Sequence, residues 1–254
     1  MHDSSELNEK QGSTNLGDAR PEPVASYLHT LGLLGIFAAV IAVSYALQGH
    51  ASPNSGPPES VRRNVIPLLF SSLAFGWGTL YFVWVGVHWK GGNLFCLTGR
   101  RWRSLRDLLR DLAIAAPFWV LWEATAFGVR SLLGPSQATR ANDTMFPVRG
   151  IIEIPLWIIV STTAGFCEEL IFRGYLMRQL HALSGSIWLA VLGQGVFFGL
   201  MHPRGWKAMT VISVLGVLYG ALAAWRNDLK PGMLAHAWGD MWEGWLKPIG
   251  VFPW

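Results

Sequence analysis

Long uncharged stretches dominate this chain and leave it few ways to fold. A helix that crosses a bilayer needs about 20 mostly apolar residues. Thr30–Leu47 and Val65–Val87 carry no charge, and the Pro67, Gly76 and Gly78 of the second are tolerated in membrane helices. Leu112–Val129 holds a single charge, Glu123, and Ile151–Cys167 leads into a pair of glutamates. Ala182–Met201 and Ala208–Trp225 follow, and Pro231–Trp245 is a shorter, mixed segment. The expected fold is therefore all-α, a polytopic membrane protein of about seven to eight transmembrane helices around a polar cavity. Composition agrees. Only 14% of residues are charged, mean hydropathy is +0.32 and there are 14 Trp, whereas a soluble domain is about 25% charged.

The connectors divide the chain. Residues 1–26 are polar and read as a disordered N-terminal tail with no cleavable signal peptide. Residues 27–150 hold the first membrane helices, and 151–254 form the second, chemistry-bearing half. The loop at 52–60 and the connector Gly134–Asp143 are rich in turn formers. Lys90–Asp111 is a basic loop with Arg100, Arg101, Arg103, Arg106 and Arg110, and LLRDL near its end predicts an interfacial helix. Lys and Arg are in excess on the side that holds the N-terminus, which places that terminus in the cytosol. In a bacterial cell the membrane would be the plasma (inner) membrane. Trp84, Trp89, Trp102, Trp206, Trp225 and Trp245 fall near helix ends, as interfacial belts require. The net charge of +4 reflects loop arginines better than a nucleic-acid surface. Cys96 and Cys167 form no metal or redox spacing. His29, His50, His88 and His181 lie at helix ends or in loops and read as incidental, while Glu123 and Glu153 read as partners of nearby arginines.

Six ionisable residues interrupt the apolar pattern between Gly165 and Asp240. They are Glu168, Glu169 and Arg173 in GFCEELIFRG, His202 in FFGLMHPRG, and His236 with Asp240 in MLAHAWGD. Charge at bilayer depth is costly and marks function by default. Glu168 and His202 are equally far in sequence from Gly185, the centre of the LSGS turn. In an antiparallel hairpin both then lie about 25 Å from that turn. His236 falls about 18 Å short of the same level unless residues 228–232 descend as extended chain. Glu169 and Arg173, and His236 and Asp240, are i, i+4 pairs.

These groups suit water activation. A desolvated carboxylate is a stronger base than one in water, so Glu168 is the candidate general base. His202 orients the same water toward a peptide carbonyl, and His236 with Asp240 polarises the carbonyl or stabilises the oxyanion. Arg173 holds Glu169 ionised. Alternatively His202, His236 and Glu168 ligate a divalent metal such as zinc with an open water position.

The order EExxxR, FxxxH (Phe198, His202), HxxxN/D resembles the CPBP intramembrane protease family, which includes type II CAAX prenyl endopeptidases and bacterial Abi proteins. The resemblance covers roughly residues 165–240. It implies a helical membrane fold of about eight helices and peptide-bond hydrolysis, with Glu168 as general base, His202 activating the same water, and His236 and Asp240 in oxyanion stabilisation or metal binding. Position 240 is Asp where the prenyl-protein processors usually carry Asn; an Asp donates a hydrogen bond only when protonated, which favours the metal reading. The implied partners are membrane lipid and a peptide or protein substrate, with a lipidated substrate among the options, and no nucleic acid. Two other classes stay open, a non-catalytic scaffold or bacteriocin-immunity protein of the same fold and, ranked last, a proton-coupled transporter.

Overall fold

The computed structural model describes residues 21–49, 65–134 and 151–246. Residues 1–20, the loop at 52–60 and most of the 134–143 connector lie outside them. Among the described residues the architecture is all-helical. The helices are α1 (Tyr27–Gly49), α2 (Ile66–Trp89), α3 (Leu105–Leu133), α4 (Glu153–Ser184), α5 (Ile187–Leu200), α6 (Trp206–Arg226) and α7 (Lys230–Met241). All but α5 and α7 are long and apolar enough to cross a membrane. The polarity is inverted relative to a soluble protein. Phe70, Phe127, Leu132 and Trp188 are exposed on outer faces, whereas Asp111, Glu169, Arg173, Gln179 and Gln194 are buried.

Local chemistry sets the boundaries. Ser104 and Asp107 form a reciprocal capping box at the start of α3, and the helix then runs unbroken to Leu133. LLRDL is therefore the first turns of the third span and not a separate interfacial helix; the cap at Ser104 starts the helix before the apolar run begins. The α4–α5 turn falls where LSGS predicts it. Gly185 adopts φ +70° and its N–H closes on His181 O at 2.8 Å, and Ser186 caps α5.

Small residues let the helices around the site approach. Gly195 and Gly199 on α5 meet Ser213, Gly216 and Val217 on α6. A Cβ on Gly195 would lie 2.6 Å from Val217 Cγ2 and 2.9 Å from Val217 N. On α4, a Cβ on Gly165 would lie 2.8 Å from Ala237 N and Met233 O of α7. The α7 segment closes on the site without extended chain. Asn227 takes the left-handed conformation (φ 48°), Leu229 N–H donates to Thr98 O at 3.0 Å, and the helix begins at Lys230. Leu229 seats beside Gly174, so α7 starts partway along α4 and the expected gap in level never arises.

At the other edge, α1 is fastened mainly by its first turns. Gln179 on α4 accepts from Val24 N–H (2.7 Å) and Ala25 N–H (3.2 Å) and donates to Ala25 O and Thr30 Oγ1. His29, read from sequence as incidental, donates through Nε2 to Phe82 O (2.9 Å) and stacks on Phe82.

Gly195→Ala should lower the detergent-solubilised protein's unfolding temperature, at a cost of about 1–3 kcal/mol for overpacking. Gly128→Ala, at a helical position with nothing within 4 Å of the added carbon, should not lower it and should raise it slightly through helix propensity. A thermal melt of the two variants beside the parent checks this.

Candidate active site

Neighbouring residues on a helix project about 100° apart, and the two glutamates of α4 accordingly face different surroundings. Glu169 points inward and is 1% exposed. Its Oε1 accepts from Arg173 Nη1 at 2.9 Å and from His236 Nδ1 at 3.0 Å. Arg173, wholly buried, donates through Nη2 to Gly216 O at 3.2 Å. Its guanidinium carbon lies 4.4 Å from the centre of the Phe198 ring and 5.1 Å from that of Tyr219. Gly216 O also accepts from Gln194 Nε2 at 2.8 Å. A desolvated charge pair needs such additional contacts to be tolerable, although Glu169 Oε2 and Arg173 Nε make no hydrogen bond among the described residues.

The stretch that carries Glu169 and Arg173 is not the regular α-helix that the spacing predicts. Glu169–Leu176 is π-helical, with Met177 N–H donating to Phe172 O five residues back. All eight of its residues are buried. Such turns are rare and concentrate at functional sites.

Glu168 turns the other way. With His202 it lines a cavity of about 180 Å³ walled by α1, α2 and α4, where Phe37, Gly76, Thr79 and Phe172 contribute. Glu168 Oε2 is buried without a hydrogen-bond partner among the described residues and lies 3.7 Å from His236 Nε2. His202 follows the last turn of α5. Its Nδ1 is 2.8 Å from Phe198 O. A carbonyl only accepts, so Nδ1 carries the hydrogen, and in the neutral ring Nε2 keeps its lone pair.

His236 is held on three sides. Nδ1–H donates to Glu169, the ring lies 5.2 Å from Tyr219 at 30°, and its edge meets Phe198 at 5.9 Å. Nε2 then faces Glu168 and Asp240, the latter at 3.9 Å. Trp157 Nε1–H fixes the main chain there by donating to Asp240 O at 3.0 Å. The structure thus joins Glu168, Glu169, Arg173, His236 and Asp240 through direct contacts, and brings His202 to the same cavity as Glu168.

Sequence reasoning passed over Tyr219, Gln194 and Trp157. A signal for the first two existed. Gly195–Gly199 and Gly216–Gly220 are two small-xxx-small pairs, and each missed residue adjoins one of them. Nothing in the local sequence distinguishes Trp157 from the other 13 tryptophans.

Metal binding was the alternative for His202, His236 and Glu168. Among the described residues, no group of three His, Cys, Asp or Glu side chains is arranged to hold a metal ion. His236 Nδ1 on Glu169 and His202 Nδ1 on a carbonyl leave Nε2 as the remaining nitrogen of each ring. With no three-residue donor group assembled among the described residues, no step is routed through a metal.

Residues 150–242 match the family model described as Type II CAAX prenyl endopeptidase Rce1-like. That span contains all six ionisable residues and begins just before α4. No curated protein and no solved structure matches the chain.

Arg173→Met leaves the buried Glu169 carboxylate without its cation, with only the His236 hydrogen bond, and should destabilise the protein by about 3–5 kcal/mol. The double variant Arg173→Met, Glu169→Leu should recover much of that loss. Equilibrium unfolding in detergent measures both, and a neutral single variant would show that the pair does not hold the site.

Proposed function

We propose that this protein is an intramembrane endopeptidase in which Glu168 and His202 activate a water molecule against a peptide carbonyl. The observation that carries this reading is the pairing of an unbonded, buried Glu168 Oε2 with His202 in one apolar cavity. The match of this region to a prenyl endopeptidase family supports peptide hydrolysis as the reaction class.

The chemistry follows from the donors and acceptors present. A water in the cavity donates one hydrogen to Glu168 and the other to His202 Nε2. Glu168 takes the first proton as the water oxygen bonds to the carbonyl carbon, and the carbonyl π electrons move to oxygen. His236, already a donor to Glu169 through Nδ1, also donates through Nε2 to the oxyanion when doubly protonated. Asp240 and Glu169 balance that charge. Collapse of the tetrahedral adduct breaks the C–N bond, and Glu168 returns its proton to the leaving amine. Arg173 touches no reacting atom; it positions Glu169, which positions His236.

The cavity wall is mostly apolar on the α1 and α2 sides, with Ser72 and Thr79 as its hydroxyl groups, which suits a segment delivered from the membrane. The substrate in this reading is a membrane-associated protein or peptide with an apolar or lipidated stretch. The N-terminus lies in the cytosol, on the side that carries the loop arginines.

Glu168→Gln and His202→Ala should each lower peptide turnover by about 10²–10⁴-fold, while circular dichroism and the unfolding temperature stay at parental values. Cleavage is read by mass spectrometry on peptides and membrane-protein segments. A non-catalytic scaffold predicts that parent and variants behave alike in a cellular assay, and a transporter predicts solute flux in liposomes without cleavage. Separately, Gly76→Leu projects a side chain into the cavity from a position whose nearest atoms, on Cys167 and Thr163, are 3.8–4.0 Å away. It should cut kcat/KM for long apolar substrates with little change in stability, and an unchanged kcat/KM would move the substrate path elsewhere.

A further inference from the structure

The loop from Trp89 to Leu105 joins α2 to α3, and the catalytic reading leaves its charge unused. Arg100, Arg101, Arg103 and Arg106 are all exposed, and none forms an ion pair with a carboxylate among the described residues. The two acids beside them are already engaged. Asp107 Oδ2 accepts from the Arg103 and Ser104 N–H groups, with Arg110 at 3.7 Å from Oδ1. Asp111 is fully buried, accepts from Trp102 Nε1 at 2.7 Å and from Arg110, and has Arg226 at 4.0 Å. Lys230 is paired with Asp228.

Large apolar side chains stand exposed on the same rim. Trp89 is 80% exposed, Phe95 72% and Trp225 at the end of α6 70%. The rim is shared by several helix ends. Lys90 Nζ donates to Pro23 O before α1, Arg178 on α4 donates to Leu97 O, and Lys230 at the start of α7 lies 5.9 Å from the Trp102 ring. Unpaired guanidinium groups interleaved with exposed aromatic rings, at the ends of apolar helices, fit the level where lipid headgroups and acyl chains meet.

We infer that Arg100, Arg101, Arg103 and Arg106 form a binding surface for the phosphate groups of anionic phospholipids, with the exposed Trp89, Phe95 and Trp102 seated among the same lipids. Guanidinium groups bind phosphate oxygens bidentately, which zwitterionic headgroups offer without the net negative charge. The surface also touches the start of α7. Thr98 O holds Leu229 N–H and Arg100 O holds Lys230 Nζ, so a lipid that fixes this loop fixes the start of α7, the helix that carries His236.

The full chain is examined by native mass spectrometry in mixed micelles of phosphatidylglycerol and phosphatidylcholine, and by thermal unfolding with each lipid alone. The parent should retain phosphatidylglycerol over phosphatidylcholine, by about fivefold for each engaged arginine at low salt, and phosphatidylglycerol should raise its unfolding temperature. Replacing all four arginines by Gln should abolish both effects, and replacing all four by Lys should keep most of the selectivity. Equal retention of the two lipids overturns the inference. So does selectivity that survives in the Gln variant, or a thermal shift that inorganic phosphate reproduces at the same headgroup concentration. None of these readouts requires peptide cleavage, so the lipid surface and the protease reading stand or fall separately.

Discussion

A guanidinium with no exposure lies in the middle of α4, and the active centre is arranged around what that group demands. Arg173 must find acceptors inside the protein, because neither lipid nor the apolar core supplies them. It finds Glu169 Oε1 and Gly216 O, and rests its face on Phe198 and Tyr219. These contacts reach three other helices. Gly216 and Tyr219 come from α6, Phe198 from α5, and Glu169 passes the constraint to His236 on α7. One charge thereby sets four helices in register, and the α5–α6 glycines make the approach sterically possible.

The same arrangement separates two adjacent carboxylates. Glu169 gives Oε1 to a cation and an imidazole and faces the interior, away from the cavity lining. Glu168, one residue earlier, borders the cavity with an oxygen that no protein donor satisfies. The π-helical stretch after it carries the Glu169–Arg173 pair through the centre of the bundle. Among the described residues, α1 and α2 line the cavity with no ionisable side chain. Phe37 on α1 and Gly76 and Thr79 on α2 shape the cavity wall instead.

Much of this was legible in the residues. Apolar runs located the seven described helices because lipid enforces uncharged stretches of fixed length, and Gly185 announced its turn because a left-handed cap favours glycine. The Glu168–His202 match followed from counting along a hairpin. What escaped has physical reasons. The extended descent expected for residues 228–232 follows from a straight α6 that turns near residue 228, whereas Leu229 seats beside Gly174, partway along α4. The π-helix leaves no periodic trace in eight residues. Tyr219 and Gln194 look like ordinary occupants of a membrane helix until α5 and α6 are set face to face. A metal set built from His202, His236 and Glu168 was plausible by residue type. Among the described residues, no group of three His, Cys, Asp or Glu side chains is arranged to hold one.

The central claim is that Glu168 and His202 share one water beside a caged His236. A high-resolution cryo-EM map of the protein in lipid nanodiscs tests it most directly. Density for an ordered water within about 2.6–3.2 Å of both a Glu168 carboxylate oxygen and His202 Nε2, with His236 Nδ1 on Glu169, is the expected result. A map in which His202 turns toward acyl chains, or in which His236 leaves Glu169, would contradict the account.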